Sequence, residues 1–374
     1  VASDAAPASA SAETRGLFAT FCAACHGATG DGNGTTKLDR PARSFKDGGF
    51  SYGNTPDAIA KTLAYGIPGS VMPSFGTSLS EEQRIALAKY VIELGPQDMP
   101  TESPDRVMVV SDRALVARGK LPPIVEGGEE IPRGLLVGTP DGFTFAYRTD
   151  DLRLIAVYQG EFAERTDWMG RGGTQLKPLG KLVASFGRGT PEQSFFVRDE
   201  YGMGVRCTAR FLGSRVLGSD AAVEFELAPA RGATTKPVAR VAETMRPASS
   251  SVGSGWRRRL VVENLTDAVL GIENVTALDV QLVKDRKNVE SVPDSAMSMR
   301  RLIEGGGSVV DAWWSPVAGE GDGAGEAGYH FDFVVAPHST REVNTLTLLV
   351  PVWNDDIAKR WSDEVKSMTS GGVR

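Results

Sequence analysis

Cys22-Ala23-Ala24-Cys25-His26 decides how the N-terminal part of this chain folds. Two thiols three positions apart, followed at once by an imidazole, form the attachment pattern of a c-type haem. The spacing has a chemical reason. The thiols can form thioethers to the two vinyl groups of one porphyrin edge, and the next residue, His26, then presents a ring nitrogen to the iron from one face. Thioethers do not exchange as a loosely bound cofactor does, so a haem held this way becomes part of the fold.

A bare Cys-x-x-Cys has other readings, half a zinc site and a redox dithiol among them. Zinc asks for four ligands. Beyond the motif the chain offers Cys207, His330 and His338, all remote and none paired at ligand spacing. A redox dithiol expects a βαβ surround, and usually an aromatic or Gly-Pro between the cysteines in place of two alanines.

Working outward, Glu13 to Phe21 is rich in helix formers and puts Phe18 on one helical face with Cys22. After His26, four glycines in the eight residues Gly27 to Gly34 exclude a helix interior and predict an open loop passing closely over the porphyrin. Pro41 has no N–H, and its carbonyl is the expected acceptor for the second ring nitrogen of His26. Pro56 to Tyr65 reads as a short helix with Ile59 and Leu63 on one side. In Gly66-Ile67-Pro68-Gly69-Ser70-Val71-Met72-Pro73, the proline after Met72 forces extended backbone there. A Met in a loop is ordinarily apolar filling. Here an iron would need a sixth ligand, and a thioether is a soft donor that raises the potential, so Met72 is the expected distal ligand. Ser80-Glu81-Glu82-Gln83 then opens a last helix with a capping box, closed by Gly95-Pro96. Its Tyr90 is placed to pack against Phe18.

Residues from about 11 to 95 resemble a class I monohaem cytochrome c of the bacterial type. The resemblance rests on Phe18, Cys22 to Gly27, the Gly30-Asp31-Gly32-Asn33-Gly34 loop, Pro41, Met72-Pro73 with Phe75, and the closing helix with Tyr90. It implies a small all-α domain wrapped on one haem, low-spin iron held by His26 and Met72, and outer-sphere electron transfer. One departure stands out: where the family carries a glycine at the crossing of its terminal helices, eight residues before the first cysteine, this chain has Thr14, with Gly16 nearby.

The chain has 374 residues, 41% hydrophobic, with a formal net charge of −6. No apolar run approaches the ~18–20 residues that span a bilayer, and no long basic run argues for nucleic acid. Three cysteines, two of them committed to haem, leave Cys207 alone and exclude a disulfide framework. Residues 1–12, mostly Ala, Ser and Pro, read as a flexible leader behind an export cleavage site. Haem c is attached outside the cytoplasmic membrane, so a periplasmic or otherwise extracytoplasmic location is expected.

The reading for the whole chain is multidomain: a cytochrome c domain at 13–95, a linker or arm at 96–133 rich in Pro, Gly and acidic residues, and an all-β sandwich-like region at 134–374, one large sandwich or two packed subdomains. Candidate strands are Leu135–Val137, Phe143–Arg148, Leu152–Tyr158, Ser194–Arg198 and Val205–Leu212. Further along are Ala222–Leu227, Arg259–Val262, Leu278–Leu282, Phe331–Ala336 and Val343–Val352. Ala228–Gly255 and Gly305–Gly328 read as long loops or inserts. No active site emerges. His330 and His338 read as ordinary histidines before a metal pair, and Cys207 as a small buried residue. The Trp313-Trp314, Trp353 and Trp361 side chains read as packing before a binding groove. Asp150, Asp151, Glu161, Glu164 and Asp167 are not tied together, and Arg257-Arg258-Arg259 reads as a solvated cluster or a dock for an acidic partner. Residues 142–162 with Arg171-Gly172-Gly173 faintly resemble β-domains that accompany cytochrome c in planctomycete exported proteins, some of which partner sugar dehydrogenases. That resemblance implies docking and carries over no catalytic residue.

The expected function is that of an extracytoplasmic single-electron carrier, with a β-domain that docks a redox protein partner or a second copy as a homodimer. No catalytic residue is assigned. The alternatives are an electron-transfer subunit of a dehydrogenase whose β-domain binds substrate, a carbohydrate for instance, and a haem-based gas sensor that exchanges Met72 for CO or NO.

Overall fold

The computed structural model describes residues 10–38, 41–47, 50, 55–67, 70–95, 107–165, 175–186, 195–198, 204–230, 236–275, 289–291, 298–302, 308–315, 323–324 and 330–370. Its N-terminal region is helical, with α1 (Ala12–Phe21), α2 (Ala23–His26), α3 (Pro56–Tyr65) and α4 (Glu81–Glu93). The longer helices start on hydroxyl caps, which satisfy amides that have no partner within the helix. Ser11 accepts from the Thr14 amide at 3.0 Å and Thr55 from the Ala58 amide at 3.2 Å. Ser80 and Gln83 form the expected reciprocal capping box, at 3.0 and 3.3 Å.

α1 and α4 meet where Phe18 lies edge to face with Tyr90, ring centroids 5.2 Å apart, as expected from the sequence. Thr14, standing in for the family's glycine, is buried and hydrogen-bonded to Ser11 at 2.9 Å. Gly16 does not take over the crossing, since a Cβ there would meet nothing within 4 Å.

Strands follow. They are β1 (Val107–Met108), β2 (Leu115–Leu121), β3 (Ile131–Gly138), β4 (Phe143–Arg148), β5 (Arg153–Gln159), β6 (Ala163–Glu164) and β7 (Lys177–Pro178). Next come β8 (Lys181–Ser185), β9 (Phe195–Arg198), β10 (Gly204–Leu217), β11 (Asp220–Pro229), β12 (Ala239–Ser249), β13 (Ser254–Asn264) and β14 (Leu270–Val275). The last are β15 (Val289–Ser291), β16 (Ser298–Leu302), β17 (Ser308–Trp314), β18 (Gly323–Ala324), β19 (His330–Val335) and β20 (Thr340–Val350), before a closing helix α5 (Asp355–Ser370). Nine of the ten candidate strands overlap observed ones; Leu278–Leu282 lies outside the described residues.

Three expectations need correction. From Val107 the stretch read as linker is already strand, because β1 and β2 join sheets. The segment 228–255 is not a long loop: β12 and β13 pair residue for residue from Ala239↔Asn264 to Ser249↔Ser254. β17 likewise occupies 308–314 within the second expected break. α5 was not expected at all. Its Ile357, Trp361, Val365 and Met368 face one hydrophobic cluster, with Asn354 accepting from the Ile357 amide at 2.9 Å.

Two large sheets carry most of the β-rich region, beside a three-stranded one ordered β1-β6-β7. One large sheet runs β2-β3-β4-β5-β8, the other β15-β16-β17-β20-β13-β12-β11-β10-β9-β14-β19-β18. Their facing sides share one core, in which Leu135, Val137, Phe145 and Val157 meet Val223, Phe225, Val241 and Leu260. The other face of the smaller sheet is buried too, with Leu136, Ala146, Ile155 and Tyr158 packed against Met108, Phe162, Ala163 and Leu176. Burial on both sides explains why β3 to β5 read as unbroken apolar runs. α5 covers the far side of β17 and β20, burying Trp361 completely against Val310 and Leu348.

A polar tie crosses the main core. Tyr147 of β4 donates to Glu243 of β12 at 3.0 Å, and Arg258 of β13 donates to the other carboxylate oxygen at 2.5 Å. The Glu243 side chain is 1% exposed and that of Arg258 13%, so neither charge has water to fall back on. Arg258→Ala is expected to cost about 3–5 kcal/mol, the usual result of stranding one charge of a buried pair. Denaturant unfolding followed by far-UV circular dichroism checks it; a loss under about 1 kcal/mol would show that the tie is solvated.

Candidate functional site

The Cys-x-x-Cys-His residues sit where two helices meet. Cys22 ends α1, its amide bonded to Phe18 O at 2.9 Å, and α2 is a single turn running Ala23 to His26. That turn brings Cys25 and His26 back over Cys22, whose carbonyl accepts both their amides, at 3.2 and 2.9 Å. The glycines beyond have definite work. Gly27 leaves the helix with φ +81°, and a Cβ on Gly34 would fall 2.3 Å from Ala24 O and 2.4 Å from the Cys25 carbonyl. The loop therefore folds closely over the motif.

His26 Nδ1 lies 2.9 Å from the backbone carbonyl of Arg43. A carbonyl only accepts, so Nδ1 carries the proton and Nε2 keeps its lone pair for a metal. The expected acceptor, Pro41, is two residues away and exposed. The role falls to Arg43 because the chain turns there, with Phe45 N bonded to Gly30 O at 2.7 Å. Partial burial lowers the His26 pKa, partly offset by the Arg43 hydrogen bond, so the imidazole is held in its neutral, metal-binding form. Phe45, which sequence reasoning passed over, is buried and stacks on His26 with centroids 4.5 Å apart and planes 20° from parallel.

Burial, and secondarily the neighbouring Cys25, pushes the Cys22 thiol up to about 11. A redox dithiol depends on a lowered thiol pKa, so this environment opposes that chemistry. Cys22 and Met72 pack against the same hydrophobic cluster, whose centre is Phe18, Phe45, Leu79, Leu87 and Tyr90. Thiol, imidazole and thioether donors thus gather on one apolar core, a donor set that fits a c-type haem with nitrogen and sulfur axial ligands.

The other candidates stay apart. His338 Nε2 bonds Asp267 at 2.8 Å on the surface, and the His330 side chain lies outside the described residues. Cys207 is partly buried, its thiol pushed up to about 12 by desolvation. Trp313 is in the main core, Trp353 and Trp361 are in the α5 cluster, and Trp314 stacks under Arg257 at 5.0 Å, so they form no groove. The carboxylates are dispersed in ion pairs: Arg148 with Asp151, Arg133 with Asp150 at 3.1 Å, and Lys177 with Glu164 at 3.0 Å. Asp167 and Arg171-Gly172-Gly173 lie outside the described residues. Arg259 pairs with Glu342 at 2.6 Å and Arg257 bonds Asn344, so the triple-arginine stretch is built into the sheet.

The site makes a paired prediction. Gly34→Ala should lower the stability of the haem-loaded protein by about 1–3 kcal/mol, since the added methyl has no room. Gly16→Ala, in open space on α1, should be neutral or stabilising by up to about 1 kcal/mol. Thermal unfolding of the two variants checks this, and equal behaviour would contradict the close approach of the loop.

Comparisons with known proteins assign a family to the helical region. The family described as "Cytochrome C oxidase, cbb3-type, subunit III" matches residues 9–91. The chain is similar to the cbb3-type cytochrome c oxidase subunit FixP of Azorhizobium caulinodans, 38% identical over 95 residues, which are 25% of this chain and 31% of the relative. It is also similar to the subunit CcoP of Rhodobacter capsulatus, 37% identical over 86 residues, 21% of this chain and 27% of the relative. The chain therefore spans under a third of the length of these curated relatives. Among solved structures, the 4-alpha-glucanotransferase of Thermococcus litoralis aligns with 61% of this chain and 39% of its own at 10% identity, with a TM-score of 0.33, too low to carry an argument. Residues 9–91 are a monohaem cytochrome c domain, with a covalently bound c-type haem and a role in electron transfer.

Proposed function

We propose that the chain is an extracytoplasmic single-electron carrier whose haem, joined through Cys22 and Cys25, is ligated by His26 and Met72. The observation that carries this reading is the His26–Arg43 hydrogen bond, which leaves Nε2 as the basic nitrogen beside the apolar cluster that also receives Cys22 and Met72. The haem supplies a one-electron couple. The protein's part is to fix the imidazole, exclude water with Phe18, Phe45 and Leu79, and hold the thioether. With two protein ligands the iron needs no substrate site. The proposed domain division is a cytochrome domain that includes α1 from its Ser11 cap and runs to about residue 95, and a sandwich of the two large sheets beyond it.

Phe21 and Val71, 37% and 55% exposed, adjoin Cys22 and Met72 in the chain, and Phe21 lies edge to face on Phe75 at 6.0 Å. Together they offer an apolar rim for a redox protein partner. The relatives are subunits of a cytochrome c oxidase by name, which supports such a partner. Among the described residues no helix is long and apolar enough to cross a membrane. The β-rich region is the proposed dock, for that partner or for a second copy. Neither the dehydrogenase-subunit nor the gas-sensor alternative gains support from these relatives.

Met72→Ala tests the ligation. The oxidised variant should lose the weak sulfur-to-iron charge-transfer band. Its reduction potential should fall by on the order of 0.1 V or more, within the ~0.8 V range that axial ligands command. An unchanged band and potential would remove Met72 from the iron.

A further inference from the structure

The loop that presents Met72 is held from outside the helical region. α3 ends at Gly66, whose φ of +71° turns the chain back so tightly that a Cβ there would lie 2.8 Å from the Pro73 carbonyl carbon and 2.9 Å from Met72 O. Across this closure, the Ile67 amide donates to the Met72 carbonyl at 3.2 Å. The carbonyl of the same peptide unit, Gly66 O, accepts from Gln159 Nε2 at 2.9 Å. Gln159 is the last residue of β5, 3% exposed, with its backbone paired to Phe143 on one side and Lys181 on the other. One peptide group is therefore gripped at both ends, by a rigid strand at its oxygen and by the Met72 backbone at its nitrogen. Donation to the oxygen polarises the group and strengthens what its N–H gives. A neighbouring pair fixes the same helix end, where Tyr65 donates to Asp141 at 2.5 Å and lies edge to face on Phe143 at 6.1 Å.

We propose that Gln159 is a positioning residue for Met72, so that the β-rich region sets how firmly the thioether is held against displacement. The inference rests on the reading of Met72 as an axial ligand. Loss of the Gln159 donor leaves the buried Gly66 carbonyl unpaired and loosens the 66–67 peptide. The loop then opens more readily, and an added ligand competes better for the iron.

The test uses the full haem-loaded chain in four forms: wild type, Gln159→Leu, Gln159→Met and Met72→Ala. Imidazole is titrated into each oxidised protein while the sulfur-to-iron band is followed, and hydrogen exchange is measured over 60–75 and over 220–229. Both Gln159 variants should keep the band, bind imidazole about tenfold more tightly and exchange about tenfold faster over 60–75, with 220–229 unchanged. Tenfold is ~1.4 kcal/mol, the scale of one buried hydrogen bond. Affinity and exchange within twofold of wild type, with the band intact, would overturn the role of Gln159 and leave Met72 ligation standing. Faster exchange over 220–229 in both variants would make Gln159 a support of the sheets, and would also overturn it. A wild-type protein without the band, or a band surviving Met72→Ala, defeats the ligation itself and this inference with it, before any Gln159 variant is compared.

Discussion

The helical region depends on an imidazole with one committed nitrogen. Arg43 takes the Nδ1 proton of His26, Phe45 covers the ring face, and the single turn of α2 ties the histidine to both cysteines. The first two restraints come from the far side of the loop that follows His26. That loop needs glycine where it leaves the helix at Gly27 and where it crosses Cys25 at Gly34. The contact of α1 with α4 through Phe18 and Tyr90 forms the floor of the same apolar cluster, so the terminal helices and the site are one packing problem. Burial lowers the His26 pKa, which favours the metal-binding imidazole, and raises that of the Cys22 thiol, which opposes dithiol chemistry.

The β-rich region is built around a small sheet buried on both faces. Its central strands pack on the large sheet on one side and on Met108, Phe162 and Leu176 on the other. The Tyr147–Glu243–Arg258 tie joins the two sheets through their core. At one end of this block, Asp141, Phe143 and Gln159 reach the C-terminus of α3 and the Gly66 turn. The helical region and the β-rich region are thereby joined by a few named contacts at the root of the segment that carries Met72.

Much of the helical site was legible because covalent and capping chemistry leaves signatures in residue type and spacing. The cysteine spacing and Ser80 with Gln83 follow from local rules, while the Phe18–Tyr90 pairing is a contact between the terminal helices. The His26 acceptor was not legible in the same way. Any backbone carbonyl can serve, and which one does depends on where the loop turns, so Pro41 was expected and Arg43 was found. Gln159 was hidden for a similar reason: a glutamine at the end of an apolar strand carries no mark of the carbonyl it reaches 93 positions away. β12 was missed because Pro and Ala in 228–255 resemble a loop until the long hairpin with β13 supplies the pairing. α5 is readable from the helical spacing of Ile357, Trp361 and Val365, although what its apolar face covers depends on β17 and β20.

The central claim is a six-coordinate iron held by two residues of this chain, and the response of the reduced protein to carbon monoxide tests it most directly. The account predicts an optical spectrum unchanged by CO, because the histidine is pinned by Arg43 and the thioether by its closed loop. A prompt shift on adding CO would show an open or readily vacated sixth position and contradict the electron-carrier reading.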